Sequence, residues 1–406
     1  MSAISSAFPK NNSAILNNAN IFIMWLEQSV FWAAALMLGY TYAGYPLVVW
    51  MWARLRGQDV VTGHVGDELP FVTILVVAHN EESRIAARVE NLLGLDYPAD
   101  RLDIVIASDA STDQTVARAC DYIDRGVRVV EFRAHQGKPA VLNELIPRLE
   151  GEIVALMDVR QRIEKGALRA LVENFHDPRT GVVSGELLLD ELPQGSEVGG
   201  VGFYWRYEKF IRQREALIDS SVGATGAIYA IRRRLFRCIP ADTLLDDVMI
   251  PMQIARQGYR IVFEPRARAH DHVAATASAE FTRKVRTIAG NYQLLFRHPW
   301  LLHPFRNRLW FQTLSHKFCR LLCPLCLVLV LMANLMLVSL PFYQMMLVMQ
   351  ILFYAAALLV GYSKKFSRSR AFGVPYAFCL LNWATVMGLV RYARGQQKVT
   401  WQKAQG

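Results

Sequence analysis

The sequence lacks the features of several large protein classes. Only six of its 406 residues are cysteines, and their spacing indicates neither a zinc site nor a disulfide-stabilised secreted domain. No recognisable nucleic-acid-binding motif accompanies the net charge of +10, so nucleic acid is not an expected partner. Internal repeats and low-complexity segments are also absent. The charge is better explained by anionic lipid headgroups or by anionic substrates.

Charge itself is missing from three long apolar runs, at 29–53, 321–363 and 371–390. At about 1.5 Å per residue, the first run crosses a bilayer core of about 30 Å. The second run is long enough for about two crossings, with Pro341 near its middle. Lys10 is the single cation of the first 20 residues, which indicates a retained span rather than a cleaved signal peptide.

Basic residues beside these runs predict an orientation. Arg54 and Arg56 follow the first run, so the positive-inside rule predicts an N-terminus outside and a cytosolic domain after it. The second run is followed by further cations expected on the cytosolic side: Lys364, Lys365, Arg368 and Arg370. A complete crossing by 371–390 would send the basic C-terminal tail outside. Either that segment is re-entrant or interfacial, or the number of spans differs by one; we expect the C-terminus inside.

From about 70 to 275, β-branched apolar runs alternate with amphipathic helical patterns. Strands are predicted at 71–77, 103–107, 127–132 and 153–157. Each is followed by a predicted helix, beginning near Glu81, Asp113, Lys138 and Lys165. This alternation predicts right-handed βαβ units and a parallel sheet. Ligands of such sheets bind beyond the carboxyl ends of the strands, so the polar residues there are the candidate site.

Carboxylates follow three of these strands, with Glu81 after the first, Asp109 after the second and Asp158 after the fourth. Such groups can accept hydrogen bonds from a base or ribose, or hold a divalent cation on a diphosphate. Glu81 and Asp113 are also good first-turn residues that satisfy helix N–H groups. We expect that structural role for Asp113, and functional roles for Asp109 and Asp158.

Four other positions have side chains suited to transfer chemistry. Lys138 opens a helix after Gly137, an arrangement found both at diphosphate sites and on many surface helices. Asp246 and Asp247 are adjacent acids whose repulsion raises one pKa, and such a carboxylate can deprotonate a sugar hydroxyl. Arg286, in a basic stretch, either neutralises a departing diphosphate or faces lipid headgroups. The small residues around Gly226, at 223–227, form either a ligand loop or a tight turn.

Together these motifs resemble the processive membrane-bound family 2 glycosyltransferases, the cellulose, chitin, hyaluronan and poly-N-acetylglucosamine synthases, over about 70–297. The resemblance implies an α/β GT-A (Rossmann-like) domain with flanking transmembrane helices. It implies that Asp247 is the catalytic base, that Gly226 and Asp246 lie at the acceptor, and that Asp158 binds magnesium or manganese. It also implies a set of donor-binding residues: Ala78, Asn80, Glu81, Asp109, Lys138, Asp158, Arg160 and Arg286.

Two positions depart from the family pattern. Arg160 replaces the second acid of the D-x-D metal motif, which weakens metal binding, shifts it to Asp158 and another ligand, or lets Arg160 contact the diphosphate. Thr287 replaces the tryptophan of Q-x-x-R-W and so removes a stacking platform beside the acceptor channel. The missing tryptophan argues against processive synthesis.

We therefore expect an inverting glycosyltransferase in a bacterial-type inner or plasma membrane, multi-pass, with a cytosolic catalytic domain. The expected donor is a nucleotide diphosphate-sugar, a UDP-sugar first, and the expected acceptor is a polysaccharide. One alternative is transfer of a single sugar to a lipid acceptor, and another is a non-catalytic module that binds nucleotide or a partner. Membrane lipid is an expected partner, and a partner subunit stays open. The expected segments are a tail and first span (1–56), a linker (57–69), the GT-A domain (70–300), a membrane-interface segment (301–320), further spans (321–392) and a cytosolic tail (393–406).

Overall fold

The computed structural model describes residues 11–58, 69–190, 201–272, 277–362 and 370–400. Lys10, Lys364, Lys365 and Arg368 lie outside the described residues. At the centre is an eight-stranded sheet of order β3-β2-β1-β4-β7-β6-β8-β5. Its strands are β1 (Val72–Ala78), β2 (Leu102–Asp109), β3 (Val127–Phe132), β4 (Ile153–Met157), β5 (Arg162–Ile163), β6 (Thr180–Asp190), β7 (Ile228–Arg232) and β8 (Arg260–His272).

The first four strands pair in parallel, as predicted. All residues of β1 are buried, which suits a parallel strand covered on both faces. The predicted helices are α3 (Ile85–Leu93), α4 (Thr115–Cys120), α5 (Lys138–Leu145) and α6 (Ala167–Glu173). Two of them begin after polar turns. The Glu81 carbonyl accepts the N–H groups of Arg84 and Ile85, and the Asp113 carboxylate accepts that of Thr115. The structural role expected for Asp113 is thereby confirmed.

The prediction of a parallel sheet is wrong for the second half. β7 runs antiparallel to both β4 and β6, β6 pairs in parallel with β8, and β5 runs antiparallel to β8. The apolar pattern of a buried strand does not encode its direction, because parallel and antiparallel neighbours bury the same side chains. The result is a mixed sheet.

Helices on one face of the sheet bring two of the candidate motifs to the same edge. α5 and α8 (Asp246–Arg256) bury Leu142 and Met249 in one apolar cluster with Leu156 of β4. Lys138 is the first residue of α5 and Asp246 the first of α8. Burial of both helices in this cluster places their N-termini near the residues that follow β4.

Within the described ranges, four helices are long and apolar enough to cross a membrane: Asn18–Arg56, Trp310–Met336, Pro341–Val360 and Phe372–Ala393. The first joins α1 (Asn11–Gly39) and α2 (Tyr45–Arg56) through a π-helical turn, Tyr40–Gly44. The second joins α10 (Trp310–Gln312), a π-helical turn and α11 (Cys319–Met336). α12 (Pro341–Tyr362) and α13 (Arg370–Ala393) follow. α7 (Val201–Ile218) packs on α2, and α9 (Ala277–Arg297) packs on α13.

The chain after α13 returns to the catalytic domain. Arg286 of α9 donates a hydrogen bond to the Val399 carbonyl (3.4 Å), and the rings of Phe296 and Tyr392 stack 5.7 Å apart. Val399 therefore lies on the same side of any bilayer as the catalytic domain. Three candidate spans separate Arg286 from Val399, so they cannot all be complete crossings. The preference for the C-terminus on the catalytic side agrees with this contact.

Candidate active site

Lys138 lies among the carboxylates at the strand ends. Its Nζ is 2.8 Å from Asp158 Oδ1 and 3.4 Å from Asp246 Oδ2. Burial by itself lowers the pKa of Lys138, but the nearby carboxylates of Asp158 and Asp246 outweigh it and hold that pKa above its usual range. The lysine stays charged at any physiological pH. The structure thus joins three predicted residues from α5, α8 and the end of β4.

Asp247, the acid next to Asp246, has a raised pKa. Burial first, and then repulsion from Asp246, raise the pKa of Asp247 from 3.8 to about 6, while the charges of Lys138 and Arg212 pull it down. A carboxyl group with such a pKa is ionised at neutral pH and can still accept a proton, which is what a general base requires.

Gly226 faces the Asp247 carboxylate directly. A Cβ at this glycine would lie 3.0 Å from Asp247 Oδ2, so a larger residue would crowd the acid. The same loop is fixed to α8, because the N–H of Ala224 donates to the Asp247 carbonyl (2.7 Å). The predicted acceptor loop and the predicted base are therefore one structural unit.

Tyr229 of β7 is a nearby residue that sequence reasoning missed. Its side chain is fully buried, and within the described residues its hydroxyl makes no hydrogen bond. Burial first, and then the charges of Asp246, Asp247 and Asp158, raise the pKa of Tyr229. The apolar pattern of the strand hid this hydroxyl, which lies close to the acids.

Asp109 is fully buried rather than open to the cleft. Its carboxylate accepts the N–H groups of Gln136 (2.9 Å) and Gly137 (2.8 Å), and it lies 2.8 Å from His135 Nδ1. The ring of His135 stacks on His79, with centroids 3.8 Å apart. Asp109 thus holds the loop that leads into Lys138. Its predicted contact with the base of the donor stays a prediction.

Ala78, Asn80 and Glu81 connect the ends of β1 and β2. Ala78 pairs with Ser108 in the last register of the two strands. Asn80 has a positive φ of 54°, and its Oδ1 accepts the N–H of Thr112 (2.8 Å). Glu81 forms an ion pair with Arg84 (3.0 Å). Asn80 and Glu81 therefore shape the turn beyond the strands, and their contact with a nucleotide stays a prediction.

Arg160 points to an acid that the sequence did not connect with it. Its Nη2 lies 2.5 Å from Asp271 Oδ2 on β8, and the Asp271 side chain is only 1% exposed. Gln161 also donates to Asp271 (3.1 Å), and Arg283 Nη1 is 4.0 Å away. Arg160 therefore neutralises a buried carboxylate beside the site. The pair with Asp271 accounts for a cation at the position where the D-x-D metal motif has its second acid.

Restoring an acid at this position is expected to damage the protein rather than create a metal pair. In Arg160→Asp, Asp271 loses its nearest cation and gains a like charge. Arg160 is 42% exposed and Arg283 remains, so we expect a loss of about 1–3 kcal/mol in the free energy of unfolding. Thermal unfolding and Mn²⁺ titration measure the two effects, with Arg160→Lys as the charge-preserving control. Unchanged stability together with tighter Mn²⁺ binding would contradict this view.

Arg286 and the C-terminal tail lie over the start of α5. The side chain of Val399 packs against Gly137, where a Cβ would come within 2.8 Å of Val399 Cγ1. Gly137 has a φ of +89°, so both its conformation and this contact require glycine. Because Val399 also touches Arg286, that guanidinium lies across the tail from Lys138. Within the described part of the chain, the Arg286 Nε makes no hydrogen bond.

A buried ionic cluster joins α7 to two of the candidate spans. His316 has no exposed side-chain surface, and its two ring nitrogens each lie 2.9 Å from a carboxylate oxygen, one of Glu208 and one of Glu215. The Tyr45 hydroxyl of α2 donates to Glu215 (2.5 Å). Burial raises the pKa of Glu208, but attraction to His316 and the nearby arginine outweighs it, and the pKa falls well below its usual value. Helical spacing puts Glu208 and Glu215 on one face of α7, but nothing in the sequence identified His316 as their partner.

The same helix reaches the loop at the predicted base. Arg212 of α7 donates to the Ala224 carbonyl (3.3 Å) and to Thr225 Oγ1 (3.1 Å). Its Nε lies 3.5 Å from Glu208. A continuous set of polar contacts therefore runs from the candidate spans through α7 to the loop that faces Asp247.

The residues present suit a metal only in a limited way. No group of three His, Cys, Asp or Glu side chains with the geometry of a metal site occurs in the ranges that the structure describes. Magnesium bound to a nucleotide often needs only one or two carboxylates, because phosphate oxygens and water supply the other ligands. Asp158, 42% exposed, could serve as that single carboxylate.

Part of the chain matches a known protein family. Residues 73–239 match Glycosyl transferase family 2. The beta-monoglucosyldiacylglycerol synthase of Nostoc sp. is 34% identical over 275 residues, which are 65% of this chain and 58% of that protein. The enzyme of the same name from Synechocystis sp. is 24% identical over 231 residues, 55% of this chain and 48% of that protein. The chain thus spans about half the length of the curated relatives it matches.

The fold has a solved counterpart. A mannosyltransferase from Pyrobaculum calidifontis, in complex with GDP-Man and Mn²⁺, superposes with a TM-score of 0.67 at 20% identity, covering 90% of this chain and 99% of that one. Identity at this level shows the fold alone. The predicted fold, a GT-A domain with helices able to span a membrane, is confirmed. The narrower resemblance to the cellulose and chitin synthase group stays a prediction.

Proposed function

We propose that this chain, whose residues 73–239 form a family 2 glycosyltransferase domain, moves one sugar from a nucleotide diphosphate-sugar to a lipid at the membrane surface. The observation that carries the proposal is the Asp247 carboxylate. Its raised pKa suits a base, it lies against the Gly226 loop, and that loop is tied through α7 to helices able to cross a membrane. An acceptor held at the membrane would meet the base at this point.

The chemistry is an inverting, in-line displacement. Asp247 accepts the proton of the acceptor hydroxyl while that oxygen attacks the anomeric carbon of the sugar. The bond from the anomeric carbon to the diphosphate breaks, and the diphosphate leaves with both bonding electrons. Holding the two reactants in line accounts for much of the acceleration in such reactions. Gly226 leaves space beside the carboxylate for the incoming hydroxyl.

Positive charge around the cleft stabilises the leaving group. Lys138 and Arg286 stand on two sides of the Val399 contact, and cations there would stabilise the negative charge that builds on the departing diphosphate. Asp158 would hold a magnesium or manganese ion, which would supply further positive charge to the leaving diphosphate. Arg160 is committed to Asp271 and supports the site through that pair. The donor base, uracil or another, is left open by these contacts.

A lipid acceptor is favoured over a polysaccharide. The two relatives above are named as synthases of a glucosyl-diacylglycerol, and Thr287 stands where polymer synthases of the family have a stacking tryptophan. The polysaccharide acceptor expected from the sequence stays a prediction. A cytosolic position of the domain, at the inner or plasma membrane, belongs to the same proposal, because Arg54 and Arg56 end the first candidate span.

Product size tests the proposal. Membranes that contain the full chain are incubated with a panel of labelled nucleotide sugars, and the product is separated by organic extraction. We expect label in one organic-soluble glycolipid bearing a single sugar, at a rate at least about 100-fold lower with Asp247→Asn. Label in a water-soluble or insoluble polymer would favour the polysaccharide reading. Absence of transfer from every donor would favour the non-catalytic module.

A further inference from the structure

A cavity of about 610 Å³ lies beside the catalytic domain, away from the strand ends. It is bounded by the end of α2, the end of α7 and the start of the second candidate span. Part of its lining is aromatic, with Trp52, Trp310 and Phe311. Another part is polar and includes Arg56 and the ion-paired Arg308 and Asp219. A lining of this kind matches a molecule with an apolar body and a polar head.

The position of the cavity fits the boundary between hydrocarbon and water. Arg56 is the last residue of one candidate span and Trp310 the first residue of the next. Tryptophan and arginine are typical of helix ends at the lipid headgroup level. The rings of Trp52 and Phe311 lie 6.3 Å apart, and the N–H of Gln58 donates to the Leu217 carbonyl (2.9 Å). These contacts hold α2, α7 and α10 around the space.

The cavity lining contains two cations and one anion, so one cation is not balanced by an acid of the lining. Arg308 forms a bidentate pair with Asp219, at 2.9 and 3.0 Å, and its Nη1 donates to the Ala255 carbonyl (2.5 Å). That arginine is therefore neutralised in place. Arg56 is exposed and, among the described residues, has no carboxylate partner. Two cations and one anion in the lining leave a charge of +1, carried by Arg56.

We propose that this cavity binds one anionic phospholipid, with the phosphate on Arg56 and an acyl chain along Trp52 and Phe311. The ligand enters sideways from the leaflet that faces the catalytic domain. The proposal does not depend on sugar transfer, because the cavity is separate from Asp247 and the cleft. Asp219, in its lining, directly follows α7, the helix that positions the Gly226 loop, so an occupant would rest on a helix of the active site.

Native mass spectrometry of the full chain, released from nanodiscs, tests for the ligand. The nanodiscs contain phosphatidylglycerol and phosphatidylcholine in equal amounts. We expect one retained phosphatidylglycerol per chain. Arg56→Gln is expected to weaken this retention roughly fivefold, the effect of one cation near an anionic lipid. Arg54→Gln is the matched control, because Arg54 is also exposed on α2 but does not line the cavity.

The outcomes separate a site from general attraction to the membrane. Retention lost in Arg56→Gln and kept in Arg54→Gln supports the proposal. Equal loss in both variants shows attraction by surface charge alone and overturns it. Equal retention of phosphatidylcholine, or of added diacylglycerol, overturns the choice of an anionic ligand. Each readout is independent of catalysis, so failure of sugar transfer would leave this test unaffected.

Discussion

Replacing Asp247 with asparagine is expected to lower kcat for sugar transfer by at least about 100-fold, the lower end of what a general base contributes. Asparagine keeps the size of the side chain and its fit against Gly226, but it cannot accept the proton of the acceptor hydroxyl. Steady-state transfer of labelled sugar measures the loss. Asp124→Asn, an exposed acid of the same domain, is the control and should retain full activity. Full transfer activity in Asp247→Asn would remove Asp247 from the mechanism.

The same substitution is expected to leave the fold at least as stable. The folded-state pKa of Asp247 is raised to about 6, so the folded protein holds the proton more tightly than the unfolded chain. Stability therefore falls as pH rises from about 4 to 6, and the ionised carboxylate is a cost above that range. Asparagine removes this cost, which is about 1–3 kcal/mol. Thermal unfolding at pH 4 and pH 8 should show the gain mainly at pH 8, and a large loss at both would contradict the interpretation.

The raised pKa also shapes the pH dependence of transfer. Activity should fall as pH drops through about 6, because the protonated carboxyl group cannot act as a base. Asp246 is the second cause of this shift after burial, so its charge helps to set where the acid limb of the pH profile lies. Two adjacent acids are thus related by electrostatics as well as by sequence.

The sequence predicted elements whose signals are local. The periodicity of apolar residues and the capping residues predicted the first four strands and the helices that begin at Lys138 and Asp246. The rule that ligands bind beyond strand ends placed Asp158 and Lys138 at the candidate site, and the family resemblance placed Asp246 there. What the sequence missed depends on pairing between distant segments. Asp271 is 111 positions from Arg160, and no local pattern connects the two residues.

Burial was the other property that the sequence could not supply. Asp109 ends its strand, where a ligand-binding acid would lie, yet the loop before Lys138 covers it and donates two N–H groups to its carboxylate. In the sequence, Tyr229 lies within the apolar pattern of a strand, which gives no sign that its hydroxyl lies near the acids. His316 reads as a polar interruption before a span, and only the packing of α7 against that span shows both its ring nitrogens beside carboxylates. Each case requires the tertiary contacts of the side chain.

Replacing Lys138 with methionine is expected to have the second large effect, because two functions are lost together. The diphosphate loses a cation, which by analogy with other charge-stabilising groups lowers kcat by about 100-fold or more. In addition, Lys138 lowers the pKa of Asp247, so its removal leaves three carboxylates together and raises that pKa further. The acid limb of the pH profile should move to higher pH.

The displacement of the pH profile distinguishes this account from a simple loss of donor binding. Methionine approximates the length and apolar stem of lysine, and Lys165→Met, at an exposed lysine of the same domain, controls for loss of surface charge. Lys138→Arg keeps the charge and should hold the acid limb near its original pH, even if its planar fork fits the site less well. Transfer rates measured from pH 5 to pH 9 for the three variants provide the comparison, because that range extends from about one unit below to about three units above the Asp247 pKa of about 6. If Lys138→Met loses activity equally at every pH, the lysine acts on the donor alone, and the coupling between the diphosphate cation and the catalytic base is absent.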